Sequence, residues 1–465
     1  MTKDIPGTIY IKPPLHIKLD KKEGSGVKKE STQGTLTWWQ MSFIGIGCII
    51  GTGFFLGSSI AISKAGPPVI IVYLAAGIGT YIVFRCLAAL TAAHPEKGSF
   101  RTYAKQAFGS WAGFSNGWVY WSCEMLIMGS QLTALAIFAQ FWFPKLPLWV
   151  FALVFALLGL LVIWLGVRKV EQMENMFGII KISAILMFII IAALALTGVI
   201  DRSGGTADAA GVFHNFFEKG WTGFWVALLY AFYAFGGIEV MGLMAGELKD
   251  PKDAPKSGTL MLIVLTVVYM AAFYFVVTLT SIEKITTDES PFLTALTGYS
   301  LPLVPHIFNA VLIIAGFSTM AASLYAVTTM IMALSEEGDA PALFIQKEEG
   351  KVSKPAFILT ILVVVLSIIL AVLLPDRLFE YVTTAAGLML LYNWAFILLS
   401  YRKLMGKGFR DGLFVWTGLL FLGLAVSGTL MDSMTRIGFF VSLAFLAVIA
   451  LATWIKLKKA PESGA

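Results

Sequence analysis

Four charged residues, Arg85, Glu124, Lys181 and Glu239, lie inside otherwise apolar runs of this chain. In hydrocarbon each costs about 3 kcal/mol or more unless it is partnered or solvated, so each is a candidate for chemistry. Lys181 sits in Ile179-Ile180-Lys181-Ile182-Ser183. Such neighbours disfavour an ammonium, which suits a group that must give up a proton; a structural cation or a snorkelling lysine is the alternative. Arg85 stands near the end of its run, where snorkelling accounts for it. The usual catalytic sets are missing. His16, His94, His214 and His306 are scattered, and Cys48, Cys86 and Cys123 have neither CxxC spacing nor a histidine neighbour, so they read as small buried residues. No metal site, cofactor or catalytic dyad is expected, and without a Walker motif an ATP-driven pump is disfavoured. An integral-membrane enzyme would need a His, Asp or Ser constellation at one depth, and none is visible.

Two glycine-rich segments supply the second kind of chemistry. The first reads Gly45-Ile46-Gly47-Cys48-Ile49-Ile50-Gly51-Thr52-Gly53-Phe54-Phe55-Leu56-Gly57, and the other Tyr233-Ala234-Phe235-Gly236-Gly237-Ile238-Glu239-Val240. At about 1 kcal/mol per glycine relative to alanine, continuous helix is disfavoured in the first. Backbone freed from helical hydrogen bonds is tolerated at membrane depth only where it lines a cavity. There the freed N–H groups, at the positive end of a half-helix, suit a carboxylate, and the freed carbonyls suit an ammonium. A zwitterion satisfies both. Close helix packing of the GxxxG kind is the competing reading of the glycines, but two such segments at matching places point to a carrier built from inverted repeats.

The elements that must hold these residues are helices. Of 465 residues 58% are hydrophobic and only 13% charged, about half the charged share of a soluble domain. The mean hydropathy is +0.81. Runs long enough to span hydrocarbon fall at 39–61, 67–91, 112–141, 147–166, 176–199, 221–245, 258–280, 305–335, 355–374, 379–401, 413–430 and 436–456. The two glycine segments lie in the first and sixth, five spans apart. Placing the N-terminus inside puts 25 Lys and Arg in cytoplasmic segments and 7 in outer loops, so both termini are expected in the cytoplasm of a cell with the chain in its plasma (inner) membrane. The net charge of +6 then reflects topology, and nucleic acid binding is not expected. The first 37 residues are polar and Lys-rich, with no secretory cleavage signature, and read as a cytoplasmic tail.

Between about residues 34 and 456 the chain resembles the amino acid permeases of the amino acid–polyamine–organocation superfamily, in its bacterial amino acid transporter branch. The resemblance is carried by Ile50-Gly51-Thr52-Gly53-Phe54-Phe55-Leu56-Gly57-Ser58 with Ala65-Gly66-Pro67, by Pro95-Glu96-Lys97-Gly98-Ser99-Phe100-Arg101-Thr102-Tyr103-Ala104, and by Gly113-Phe114 with Gly117-Trp118-Val119-Tyr120-Trp121. It continues in Phe235-Gly236-Gly237-Ile238-Glu239, Ala245-Gly246-Glu247 and Glu337-Gly338-Asp339-Ala340-Pro341. It implies an all-α fold of twelve transmembrane helices. Residues 1–37 would be the tail and 38–456 the transporter domain, with repeats at 38–199 and 220–401 related as an inverted five-plus-five pair. Two extra helices at 412–456 and a cytoplasmic tail at 457–465 follow.

The resemblance also implies roles. The N–H groups of Gly51, Thr52 and Gly53 would hold a substrate carboxylate. The carbonyls of Ile49, Tyr233 and Gly236 would take its α-amine, with the Tyr233 ring either a lid or a packed aromatic. Lys181 matches a fifth-helix lysine that stands, in proton-coupled members, where sodium-coupled relatives bind an ion; its amine would reach the first helix near Gly45 and the eighth near Ser318. Glu239 either takes part in gating or proton uptake, or caps freed N–H groups. Glu124 falls where relatives face the substrate side chain, and reads as a receptor for a cationic side chain, a second proton acceptor, or a hydrogen-bonded carboxyl in the bundle. The chain departs from common family residues at Gln131, where many relatives have a carboxylate, and at Ala89 and Thr329.

These readings converge on secondary active uptake of an amino acid, as proton-coupled symport of a neutral one by alternating access. The alternatives are an exchanger, a cationic amino acid permease, or a non-transporting nutrient sensor. A channel would need a filter or charged ring, and neither is visible. The expected partners are the amino acid, protons and membrane lipid.

Overall fold

A run of about 20 apolar residues closes its own backbone hydrogen bonds only as a helix, and this chain's runs do so. The computed structural model describes residues 36–96, 98–165, 167–201, 216–346, 352–374 and 377–459. Both expected tails lie outside the described residues, except for their innermost few positions. Among the described residues the only strand-like pairing is an isolated parallel bridge between Leu36 and Leu248.

The first run forms α1 (Trp38–Ile49), α2 (Thr52–Phe55) and α3 (Gly57–Ala65), and the second α4 (Val69–Ala93). A short α5 (Ser99–Phe108) precedes α6 (Ser110–Gln140), α7 (Leu148–Leu165) and α8 (Val167–Leu196). The sixth run divides into α9 (Gly220–Tyr233) and α10 (Ile238–Met244). There follow α11 (Ala254–Leu279), the short α12 (Pro291–Leu296), α13 (Val304–Glu336), α14 (Lys354–Leu373), α15 (Leu378–Leu404), α16 (Phe409–Gly428) and α17 (Ser433–Lys459). Among the described residues, 11 helices are long and apolar enough to cross a membrane, and 12 spans result when α1 and α2–α3, bent by 55°, count as one. This is the make-up of a multi-pass membrane protein. Pro255, Pro291, Pro305 and Pro355 stand in first turns, where the missing N–H has no helical partner to lose.

The spans are not equivalent. The apolar stretch of α6 is 83% buried and that of α15 72%, against 22% for α7 and α17. So α6, α15 and the divided sixth span form the interior, while α7, α14 and α17 turn leucines and isoleucines such as Leu157, Leu161, Leu362 and Leu366 outward. A helix apolar all round belongs in lipid. α6 packs against α13 and α15, α4 against α11, and α1 against α8 and α11. Hydropathy did not reveal α5, because ten residues cannot span. Its signal is helical spacing instead: Phe100, Tyr103 and Ala104 are buried while Lys105 and Gln106 are exposed.

Two ion clusters tie the helix ends. At one end, Lys64 of α3 lies 3.3 Å from Glu380 of α15 and 2.9 Å from Asp432, in the turn before α17. At the opposite end, Arg101 of α5 donates to both carboxylate oxygens of Glu337, at 2.9 and 3.0 Å, and to Asp339. Lys456 of α17 also pairs with Asp339, whose carbonyl accepts from the Trp118 indole at 3.1 Å. Arg101 is 4% exposed and Asp339 8%, but Glu337 is 42% exposed. Breaking a buried pair costs about 3 kcal/mol or more, and an exposed one about 1 kcal/mol or less. Arg101→Gln is therefore expected to destabilise by about 3 kcal/mol, the lower bound because Lys456 still faces Asp339, and Glu337→Gln by under about 1 kcal/mol. Thermal unfolding of the purified protein in detergent checks the order; equal losses would place Asp339 outside the low-dielectric interior.

Candidate functional site

The first break follows from local geometry. α1 ends at Ile49; Ile50 and Gly51 are extended, with Gly51 at φ −154° and ψ −159°. Gly51 accepts at its carbonyl from the N–H groups of Phe54 and Phe55, both at 3.1 Å, which starts α2. The N–H groups of Thr52 and Gly53 lie in that first turn, where no carbonyl of their own helix is in reach. Phe54 then anchors α2 from behind. Its ring stacks on Tyr269 at 4.2 Å and lies 4.9 Å from Phe292, in an aromatic cluster of α11 and α12.

The second break runs from Ala234 to Gly237, which takes φ +111°, a conformation that favours glycine. Of the three carbonyls expected to face an amine, that of Tyr233 also accepts locally, from Gly236 N–H at 3.0 Å. The Ala234 carbonyl is taken by the Tyr269 hydroxyl at 3.2 Å.

The two breaks touch. A side chain on Gly53 would meet the Tyr233 ring at 3.0 Å, and one on Gly237 would meet Ile49 at 3.2 Å. These glycines therefore serve close approach as well as the freed backbone. The first break also lies on α13: a side chain on Gly51 would meet Thr319 at 2.8 Å, and one on Gly316 would meet both Thr52 and Leu135 at 3.0–3.1 Å. Gln131, one turn from Leu135 on α6, is thus brought to the same region as Thr52. Both Thr52 Oγ1 and Gln131 Oε1 are buried with no hydrogen-bond partner among the described residues, which is costly unless something else meets them. Gly236 instead faces Leu390 of α15.

Glu124 lies two turns from Gln131 on the same helix. Its carboxyl has the Tyr120 and Ser323 hydroxyls beside it, and Glu239 is close enough to act on it electrostatically. The Tyr233 hydroxyl lies by the Ser130 hydroxyl, with Cys123 and Glu124 near enough to act on it electrostatically, so the ring runs from the first break to this face of α6. The Ser130 hydroxyl is bonded to Thr383 at 2.6 Å. Ser323, Thr319 and Thr383 were not singled out from the sequence. Their signal was faint: small residues at three- and four-residue spacing on α13, Gly316, Thr319 and Ser323.

Two charged side chains attach to the breaks themselves. Lys181 is wholly buried, and its ammonium donates to the Gly47 carbonyl at 2.9 Å. In a continuous helix that carbonyl would accept from Gly51, but Gly51 is extended. The contact falls two residues beyond the expected Gly45, which is instead packed against Met241 and Met261. A side chain on Gly47 would come within 2.9 Å of the Gly178 backbone, so α1 and α8 nearly touch one turn from Lys181. Ser318, the other expected neighbour, is buried on α13. Glu239 is buried too; it accepts from Gly237 N–H at 3.2 Å and from the Trp394 indole at 3.3 Å. One ion meets a freed carbonyl of the first break, and the other a freed N–H of the second.

The remaining singled-out positions lie apart from the breaks. Arg85 is exposed and Ala89 half-buried, while Thr329 bonds to its own helix through Tyr325 at 2.8 Å. Among the described residues no three His, Cys, Asp or Glu side chains cluster as a metal site would require.

Comparison with known proteins bears on this arrangement. Residues 40–459 match the amino acid permease family. The chain is 52% identical over 435 residues to the Uncharacterized transporter YcgH of Bacillus subtilis (strain 168), covering 94% of this chain and 98% of that protein. It is 32% identical over 371 residues to the aromatic amino acid transport protein AroP of Corynebacterium glutamicum, covering 78% and 80%. With the protein of that name from Escherichia coli O6:H1 it shares 28% over 434 residues, covering 90% and 95%. The matched span takes in both helix breaks, Lys181 and the polar face of α6, and the chain belongs to the amino acid permease family, a family of transporters rather than enzymes.

Proposed function

We propose that this chain takes up a neutral amino acid together with a proton across the plasma membrane, by alternating access around the paired breaks. The observation that carries the reading is the contact between the two breaks. It brings Gly53 against the Tyr233 ring and Gly237 against Ile49, which supports reading the N–H groups of Gly51, Thr52 and Gly53 and the carbonyls of Ile49, Tyr233 and Gly236 as the substrate-binding set. Those groups suit the carboxylate and ammonium common to all amino acids. The two halves are read as an inverted five-plus-five repeat with α16 and α17 added. The 25-to-7 distribution of Lys and Arg supports cytoplasmic termini.

Side-chain specificity is assigned to Gln131, Glu124 and the α13 residues facing them. The aromatic transport named for two relatives makes aromatic amino acids the first to test. Lys181 is the proposed coupling site. Its ammonium bonds to Gly47 only while the first break keeps that carbonyl free, so loss of its proton and movement of α1 are linked. Glu239, with two N–H donors on its carboxylate, reads as a cap of the second break.

Purified protein in proteoliposomes is expected to accumulate radiolabelled phenylalanine, tryptophan or leucine when an inward proton gradient is imposed, and to lose accumulation with a protonophore. Uptake indifferent to the gradient but dependent on internal amino acid would replace symport by exchange. Competition by lysine that Glu124→Gln abolishes would make the cargo cationic. Lys181→Ala is expected to cut gradient-driven accumulation about tenfold or more while exchange of preloaded substrate persists; full accumulation in the variant would remove Lys181 from coupling.

Glu239→Gln keeps the shape but leaves one of two buried N–H donors without an acceptor. It should destabilise by about 1–3 kcal/mol in thermal unfolding. An unchanged melting temperature combined with lost proton dependence of uptake would make Glu239 a proton carrier instead of a cap.

A further inference from the structure

One feature outside the paired breaks lies at one end of the bundle, where α15 stops. A groove of about 400 Å³ is lined by Phe108, Leu399, Arg402, Lys403 and Lys407. Three of its five walls are cationic. Arg410 follows closely, and Asp411 is the one carboxylate between residues 399 and 413. That carboxylate is already engaged, accepting from the Tyr401 hydroxyl at 3.4 Å.

Part of this charge has a local explanation. Cations in the last turn of a helix offset its negative end, which accounts for Arg402 and Lys403. Arg402 also donates to the Gly408 carbonyl at 3.4 Å, holding the connecting loop to the helix end. Lys407 lies beyond the helix and has no such role, yet it turns to the same groove. The other two walls are apolar. Leu399 is 38% exposed on a membrane-spanning helix, and Phe108 packs beside Trp111 at 6.5 Å between ring centroids. Just past the loop, α16 exposes Phe409, Leu413 and Trp416 along one face. Cations gathered where an apolar, lipid-facing surface meets water match a molecule with an anionic head and apolar tails.

We propose that this groove binds the headgroup of an anionic phospholipid. The phosphate lies among Arg402, Lys403 and Lys407, and the acyl chains run down over Leu399. Its volume admits a glycerophosphate headgroup but not a whole lipid, so the chains must leave along the membrane-facing side. The phosphate would be held by charge-assisted hydrogen bonds, with Arg402 able to offer two parallel donors.

The full-length protein, purified and equilibrated with equimolar phosphatidylglycerol and phosphatidylcholine, tests this by native mass spectrometry of the retained lipid. Phosphatidylglycerol is expected to be retained in preference to phosphatidylcholine. At about fivefold per cation, the triple variant Arg402→Gln, Lys403→Gln, Lys407→Gln should lose roughly a hundredfold of that preference. The charge-conserving pair Lys403→Arg, Lys407→Arg should keep it, which separates loss of charge from loss of fold. Equal retention of the two lipids by the parent protein overturns the proposal, whatever the variants do. So does displacement of phosphatidylglycerol by excess inorganic phosphate, which would mark a site for the free ion.

Discussion

Every backbone N–H and C=O of this chain that lies in hydrocarbon must find a partner inside the protein, and most of the architecture follows from that. Among the described residues, helices satisfy the requirement along ten spans without a break. Where the first and sixth spans break, the requirement falls on particular side chains. The Gly47 carbonyl, abandoned when Gly51 turns extended, is met by Lys181; the Gly237 N–H is met by Glu239; the Ala234 carbonyl is met by Tyr269. A buried ammonium and a buried carboxylate would each be unfavourable alone. Attached to freed backbone groups of opposite polarity they become part of what allows the breaks to exist.

Close approach is the second condition. The breaks meet because glycines stand where one helix crosses another: Gly53 under Tyr233, Gly237 against Ile49, and Gly47 against Gly178. The last of these brings α8 near enough for Lys181 to reach α1 at all. In a lipid surrounding, where apolar side chains gain nothing by leaving the solvent, such contacts between small residues are a main source of helix association. Phe54 supplies the opposing surface, fixing α2 into the aromatic cluster of α11 and α12. The short α2 is thus held on both sides. Near it, the buried oxygens of Thr52 and Gln131 have no hydrogen-bond partner among the described residues.

The ends of the bundle are governed by a different balance. Lys64 with Glu380 and Asp432 at one end, and Arg101 with Glu337, Asp339 and Lys456 at the other, tie helices that are far apart in sequence. Both lie where water is near enough to lower the desolvation penalty, while Asp339 and Arg101 are sequestered enough for their attraction to be felt.

Hydropathy alone determined the number and place of the spans, because the length of an apolar run is a local property. The glycine clusters marked where two spans would break, since the conformational cost of glycine is also local. Motif order carried the family, and the amphipathic spacing of α5 was present in the sequence, though a search for membrane-length runs passes over it. The resemblance pointed Lys181 at the first helix near Gly45 and offered Glu239 as a cap of freed N–H groups, but the atoms they meet were not legible. Nothing near Lys181 in sequence names Gly47, 134 positions away, and nothing near Glu239 names Trp394. The polar environment of Tyr233 and Glu124, with Ser130, Thr383 and Ser323, arises only when α6, α13 and α15 pack. Those contacts depend on helix rotation and crossing, which are set by the summed packing of every neighbouring face, and so only the tertiary structure decided them.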